Sequence, residues 1–482
     1  MKTVNKWVIF ILVAIAQFMV VLDNAITNVA LPSIKQQLGF TTETLQWVVT
    51  AYALSFGGFL LLGGRVADLF GRRLALLSGM TAFTIFSLLI GVSQEPWQLI
   101  VLRALQGMSA AFMSPAALSI VLVTFRDGDN RNKALSYWTL VSTGGAALGL
   151  LLGGFLTQYF GWRWNFFINV PIGIAMVATI AQYVPVQEKE EKEKILDVKG
   201  AVLVTSSLML FVLAFSQAPL WGWLSVGTVS TLLVAAALLF GFIYNESKVS
   251  RPLVPMSIFR IRNVRGANLL MAPLFASMLS SFFLLTLYLQ GILHLDPLMT
   301  GLAFLPFPIT LAITASQMPR LVKRYGFRRF MIIGPLVVVA GMLWLTRLGA
   351  DSTYILGILP AAIILPFGIG MTMMPTIAAA TSGVPSDESG IASGLINTSQ
   401  QMGGALGLSI LSGVAASVMT SNLKLGVIDA TLKGYHVAFL VSAGFMIVAS
   451  LVAVSVIKNP KPHSDSEKEA LNRAQLQTSQ SH

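Results

Sequence analysis

Gly63 to Arg73 reads GGRVADLFGRR, and Met318 to Arg329 reads MPRLVKRYGFRR. Aligning Gly71 with Gly326 puts a basic cluster after each glycine and sets each stretch between two long apolar runs. The second copy has drifted, with Pro319 opposite Gly64 and Lys323 opposite Asp68. Short basic loops also recur wherever positive charge collects on one face of a membrane. Two copies eight apolar runs apart go further and point to two homologous halves. Halves related by an axis along the membrane normal are a transporter plan, with the site at their interface near the midplane.

The surrounding chain fits a membrane. Its 482 residues are 55% hydrophobic and 11% charged, with a mean hydropathy of +0.75. Soluble chains carry roughly 25% charged residues, so a soluble enzyme is excluded, and so is disorder, which needs few apolar residues and many charges. A bilayer core takes about 20 mostly apolar residues per helix. Fourteen such runs fall at 7–30, 45–64, 74–93, 97–121, 134–158, 164–185, 198–218, 224–244, 266–290, 298–318, 329–349, 353–375, 389–415 and 435–457. The first is too long for a signal-peptide core and reads as an uncleaved span. The fold expected is an all-α integral membrane protein. It has an N-terminal six-helix bundle (1–185), a linker with two inserted helices (186–265), a C-terminal six-helix bundle (266–457) and a polar, disordered tail (458–482).

An even number of spans puts both termini on one side. If that side is cytoplasmic, 26 of the 32 basic residues lie on it and five lie outside, Lys35, Arg163, Arg347, Lys424 and Lys433. That bias sets the orientation, with both termini cytoplasmic in the cell membrane. In a soluble protein the net charge of +12 would suggest nucleic acid; here it reports sidedness, and no nucleic-acid partner is expected. There is no cysteine, hence no disulfide and no thiolate metal site. The four histidines form no metal motif, and no GxxxxGK[ST] stretch occurs. No metal or cofactor is expected, and uphill transport would need an ion gradient.

Two charges lie well inside spans, Asp23 in the first and Arg103 in the fourth. Intramembrane charges cost a few kcal/mol each and mark function by default. At 1.5 Å per residue their depths are roughly 13 Å and 9 Å from the same surface, so they meet if the two spans are neighbours. Desolvation favours the neutral acid, and a guanidinium alongside favours the carboxylate. Arginine does not release its proton. Asp23 is therefore the proton carrier of the pair, and a structural ion pair is the alternative. Polar neighbours share these faces: Asn24 and Asn28 beside Asp23, Gln106 beside Arg103. They are candidates for substrate binding or helix-to-helix contact, as are Asn397 and Gln401 in the thirteenth run. Gly145, Gly149 and Gly153, followed by Gly154, form a flat stripe in the fifth run, suited to tight packing, or to a hinge or sealed interface between halves.

Taken together, these stretches resemble the major facilitator superfamily, specifically its fourteen-spanner drug:proton antiporter family, over nearly the whole chain. LDNAITNVALP (Leu22 to Pro32) resembles the first-helix motif. GRVADLFGRR resembles the loop 2–3 motif, with Gly64, Asp68, Gly71, Arg72 and Arg73 in place. LIVLRALQGMSAA (Leu99 to Ala111) resembles the fourth-helix motif. WRWNFFINVPIG (Trp162 to Gly173) and GLINTSQQMGGALG (Gly394 to Gly407) are also characteristic. The fifth-helix glycines resemble the antiporter motif, but Leu150 stands where the family usually has proline, which should leave that span straighter.

The resemblance implies export of amphipathic compounds in exchange for protons. Asp23 would carry the proton, Arg103 would couple it, and the loop 2–3 residues would gate the cytoplasmic face. A single intramembrane acid suits neutral or monocationic compounds. The chain is expected to act as a monomer in the bilayer. A dedicated exporter of one endogenous metabolite, antibiotic or lipid would share every feature, whereas a membrane scaffold would have no need of Asp23.

Overall fold

The computed structural model describes residues 5–125, 128–185, 197–249, 252–382, 384 and 389–457. The charge run 186–196 and the tail 458–482 lie outside them. Each of the fourteen apolar runs is a helix: α1 (Lys6–Leu38), α2 (Trp47–Phe70), α3 (Arg72–Gly91), α4 (Pro96–Thr124), α5 (Lys133–Phe160), α6 (Trp164–Tyr183), α7 (Val198–Trp221), α8 (Val226–Lys248), α9 (Arg262–Gly291), α10 (Pro297–Tyr325), α11 (Phe327–Leu345), α12 (Tyr354–Thr381), α13 (Ile391–Ser421) and α14 (Val427–Val456). No strand occurs among the described residues. α6 and α10 are each interrupted by one turn residue, Ile168 and Leu305.

α1 outruns its sequence estimate by eight residues. Pro32 sits inside it, and the helix goes on until Gly39 takes φ 72°. Proline costs a helix one backbone bond and some crowding. The turn beyond it buries Ile34 and Leu38, and that burial favours continuing.

Packing repeats with an offset of eight helices. α1 packs on α5 as α9 does on α13, α2 on α4 as α10 on α12, and α3 on α6 as α11 on α14. The two six-helix bundles thus share one plan, with α7 and α8 paired beside them. The aligned loops match in detail. Gly71 (φ 104°) and Gly326 (φ 76°) turn the chain between consecutive helices in conformations that side chains rarely adopt. Arg73 then donates to the Ala181 carbonyl at the end of α6. Arg328, its counterpart, donates to the Val454 carbonyl near the end of α14 at 2.6 Å. Each supplies a partner for carbonyls that a helix end leaves orphaned.

We call the face where α1 begins and α14 ends the terminal face, and the opposite one the far face. At the far face the bundles close on each other. Gln290 of α9 donates to the Val29 carbonyl of α1 at 2.9 Å, and the Leu298 amide of α10 to Gln158 of α5 at 3.2 Å. α2 also runs along α13, where a Cβ on Gly57 would lie 2.7 Å from Gln401 Cβ.

Gly71→Ala forces a side chain into the disfavoured region and is expected to cost about 1–3 kcal/mol. Gly144→Ala, with nothing within 4 Å of the new Cβ, should be neutral or mildly stabilising. Thermal unfolding of the two variants in detergent checks the contrast.

Candidate functional site

The fully buried ion pair of the first bundle sits in a polar nest. Asp23 (α1), Arg103 and Gln106 (α4), Ser87 (α3), Asn169 (α6) and Tyr52 (α2) all have 0% exposure. Arg103 Nη1 donates to Asp23 Oδ2 at 2.5 Å and to Gln106 Oε1 at 2.6 Å, and its Nε to the Val48 carbonyl of α2 at 2.9 Å. Gln106 Nε2 donates to Asp23 Oδ1 at 3.0 Å and to Ser87 Oγ at 2.8 Å. Asn169 Nδ2 gives Oδ1 its second bond at 3.0 Å. The Tyr52 ring lies 4.3 Å from the guanidinium carbon, and the Phe166 ring 5.8 Å on another side, both within cation–π range.

Five helices therefore converge on one ion pair, and Gly107 shows why they can. A Cβ there would collide with the Tyr52 carbonyl, so only glycine lets α2 lie against α4 closely enough to offer Val48 and Tyr52 to Arg103. The carboxylate has three donors and the guanidinium one counterion, one amide, one carbonyl and two rings. Several orphans remain: Arg103 Nη2, Asn169 Oδ1 and Asn28 Oδ1 have no hydrogen-bond partner. Unpartnered polar atoms in a dry core cost about 1–3 kcal/mol each. The nest thus holds a charge pair whose hydrogen bonding is not fully satisfied.

The sequence places Asp23 and Arg103 at similar depths on different spans, and the structure joins them. Gln106 belongs to the ion pair's own shell, so its donors are not directed at a substrate. Asn24 is half-buried and bonds back to the Val20 carbonyl, and Asn28 bonds back to Asn24. Asn397 is exposed on α13 and Gln401 is half-buried against α2. In loop 2–3, Asp68 and Arg72 pair at 3.9 Å with Asp68 62% exposed. A Cβ on Gly64 would lie 3.9 Å from Pro115 Cβ, and Arg65 reaches the Pro252 carbonyl at 3.4 Å. These bonds of Asp68, Arg72 and Arg73 stay within the first bundle.

The glycine stripe packs on α1. A Cβ on Gly145 would meet Phe18 at 3.1 Å, on Gly149 Ala25 at 2.6 Å, and on Gly153 Ile26 at 2.7 Å. The stripe is therefore a contact inside the first bundle and no hinge between halves. The neighbouring face of α5 does cross between them: Gly154 abuts the Pro297 carbonyl, and the Leu150 carbonyl abuts Gly301 of α10.

Ser87, Asn169 and Tyr52 escaped the sequence reading. Ser87 and Tyr52 are ordinary span residues in isolation. Asn169 stood inside the quoted WRWNFFINVPIG stretch, but 146 residues from Asp23 nothing in spacing ties the two.

A family model described as Major Facilitator Superfamily matches residues 13–408. The chain belongs to the major facilitator superfamily. It is 38% identical over 472 residues to a puromycin resistance protein of Streptomyces alboniger, covering 96% of this chain and 93% of that one. It is 36% identical to a cephamycin export protein of Amycolatopsis lactamdurans, covering 86% of each. A multidrug resistance protein of Mycobacterium tuberculosis is 30% identical, over 84% of this chain and 75% of that one. Among solved structures, a bacterial homologue of the lysosomal transporter Spinster superposes with a TM-score of 0.70 at 13% identity, over 96% of this chain and 100% of that one. The peptide transporter PepTSo gives 0.69 at 16%, over 92% and 97%. At these identities they speak for the family's fold alone. The chain is a multi-pass membrane transporter and not an enzyme.

Asn169→Leu removes one of the carboxylate's three donors and should lower stability by about 1–3 kcal/mol, read as thermal unfolding in detergent.

Proposed function

We propose that the protein exports amphipathic, neutral or monocationic toxic compounds by alternating access, exchanging them for protons. The observation that carries this is the Asp23–Arg103 pair, 2.5 Å apart and fully buried. A scaffold gains little from such a pair, because apolar residues of equal volume often serve stability as well or better. In an exporter the pair supplies one site where a proton changes the charge balance. Protonating Asp23 leaves Arg103 with Gln106, the Val48 carbonyl and the Tyr52 ring. The lost attraction is then available to bias the packing of α1 against α4 and α2. Asp23 is the proton carrier, and Arg103 positions it.

The distribution of basic residues supports a cytoplasmic terminal face in the cell membrane, so the far face is the outer one. Gly64, Asp68, Gly71, Arg72 and Arg73 then sit at the cytoplasmic side. They are suited to gating there when the bundles close on that side. The drive comes from the proton gradient without a cofactor, and one chain contains the whole site, which fits a functional monomer. Export and drug resistance come from the names of the relatives. Two of those names, puromycin resistance protein and cephamycin export protein, each concern one antibiotic. They favour a second reading, in which the pocket serves one such compound. A resistance panel in expressing cells separates a broad exporter from a dedicated one.

Asp23→Asn should abolish substrate-driven proton flux into reconstituted vesicles while expression stays normal; undiminished flux removes Asp23 from the mechanism. Arg103→Lys should fail nearly as badly. One ammonium cannot keep the bonds to Val48, Gln106 and Asp23 that the planar fork makes together. Wild-type vesicles should transport a monocation faster than a dication of similar size, and equal rates would refute the selectivity argument.

A further inference from the structure

The inserted helices have no part in the mechanism so far, yet α7 lies on the seam where the two bundles meet. It packs on both α2 and α13. Towards α13 it is bonded at several levels. Ser409 donates to the Val212 carbonyl at 2.9 Å, the Trp223 indole just beyond α7 donates to Ser417 at 3.3 Å, and the Phe215 carbonyl lies 2.8 Å from where Gly413 would carry a Cβ. Towards α2 the polar contacts gather at one end. Gln46, the residue before α2, is fully buried. Its Nε2 donates to Ser216 Oγ of α7 at 2.9 Å, and its Oε1 accepts from Ser412 Oγ of α13. Trp47 Nε1 donates to the same Ser216 Oγ at 3.2 Å.

One amide therefore joins three bodies: the first bundle through Gln46, the second through Ser412, and the inserted pair through Ser216. The joint lies towards the far face, where α2 begins. It also lies two residues from Val48, whose carbonyl holds Arg103. Any motion that parts the bundles at this face must break the bonds of Gln46. The bonds of α7 to α13 can survive it.

We infer that α7 travels with the second bundle and that Gln46, Ser216 and Ser412 form a latch holding the outer face shut. The inserted pair thus supplies the third member of an outer gate. This rests on the alternating-access reading and on the orientation above, and it is independent of which residue carries the proton. Gln46 is a positioning residue here and touches no substrate. The expected energetics are modest. A buried hydrogen bond contributes little net stability, yet enough to shift a two-state population several-fold.

The chain has no cysteine, so a single introduced one is a clean reporter. Thr50 lies one turn inward of Gln46 on the same face of α2, is fully buried, and its hydroxyl has no partner. Thr50→Cys is first checked for retained export. Whole cells are then treated with a membrane-impermeant maleimide, and the labelling rate is measured. Gln46→Ala and Ser216→Ala should each raise that rate about three- to tenfold, the range expected when one ordinary hydrogen bond is lost. Combining them should raise it little further. Unchanged rates in both variants overturn the latch. A rise with Gln46→Ala alone overturns the role of α7. An equal rise at a reporter deep in the first bundle, Ala110→Cys, means general loosening and overturns it too. Adding Asp23→Asn to each strain keeps the tests apart. If Asp23 is not the proton carrier, proton flux survives in that variant, and the labelling pattern still decides on the latch.

Discussion

A carboxylate and a guanidinium shut away from water dictate the build of the first bundle. Breaking such a pair by removing one partner typically costs about 3–5 kcal/mol, because the survivor is left charged and dry. The protein meets that demand with amides, a backbone carbonyl and aromatic faces drawn from α2, α4 and α6. Each of these bonds fixes a helix. Gln106 and Arg103 set the rotation of α4, Asn169 that of α6, Ser87 that of α3, and the Val48 carbonyl the height of α2. Gly107 then becomes a necessity, because without it α2 stands too far off to contribute. The second bundle repeats the helix pairing, but it buries smaller polar contacts. Ser277 and Ser442 pair at 2.9 Å, and Asn268 and Ser399 at 2.7 Å. Equivalent architecture thus carries unequal chemistry, and the charge pair belongs to one half alone among the described residues.

α2 gains particular weight from this. One of its faces cradles Arg103, while the other lies on α13 and α7. A change at the ion pair therefore acts first on the helix that also forms the seam. No longer route is needed between the buried charges and the contact of the two halves.

Much of the fold was legible in the chain. Fourteen apolar runs, a half-repeat at Gly71 and Gly326, and a strong charge bias are one-dimensional signals that membranes enforce strictly. The two intramembrane charges stood out for the same reason. What sequence could not reveal was the company they keep. Tyr52 and Ser87 are common span residues, Asn169 lies 146 residues from Asp23, and their meaning arises only when helices far apart in the chain pack together. The glycine stripe in α5 suited two partners equally on paper, and shape complementarity with Phe18, Ala25 and Ile26 chose α1. The first apolar run stops at residue 30, short of Pro32, yet the helix continues because the next turn has apolar surface to bury.

The basic residues that mark one face of the membrane also finish the helices there. Arg73, Arg262 and Arg328 each point their donors at the closing carbonyls of α6 or α14. Charge and donor are separate properties of one side chain, and they operate at separate times. The charge acts while helices are entering the bilayer. The donors find nothing to hold until the sixth helix of their half is in place. In each half the third helix thus arrives carrying the clasp for the last, and assembly of that half is complete when the clasp closes.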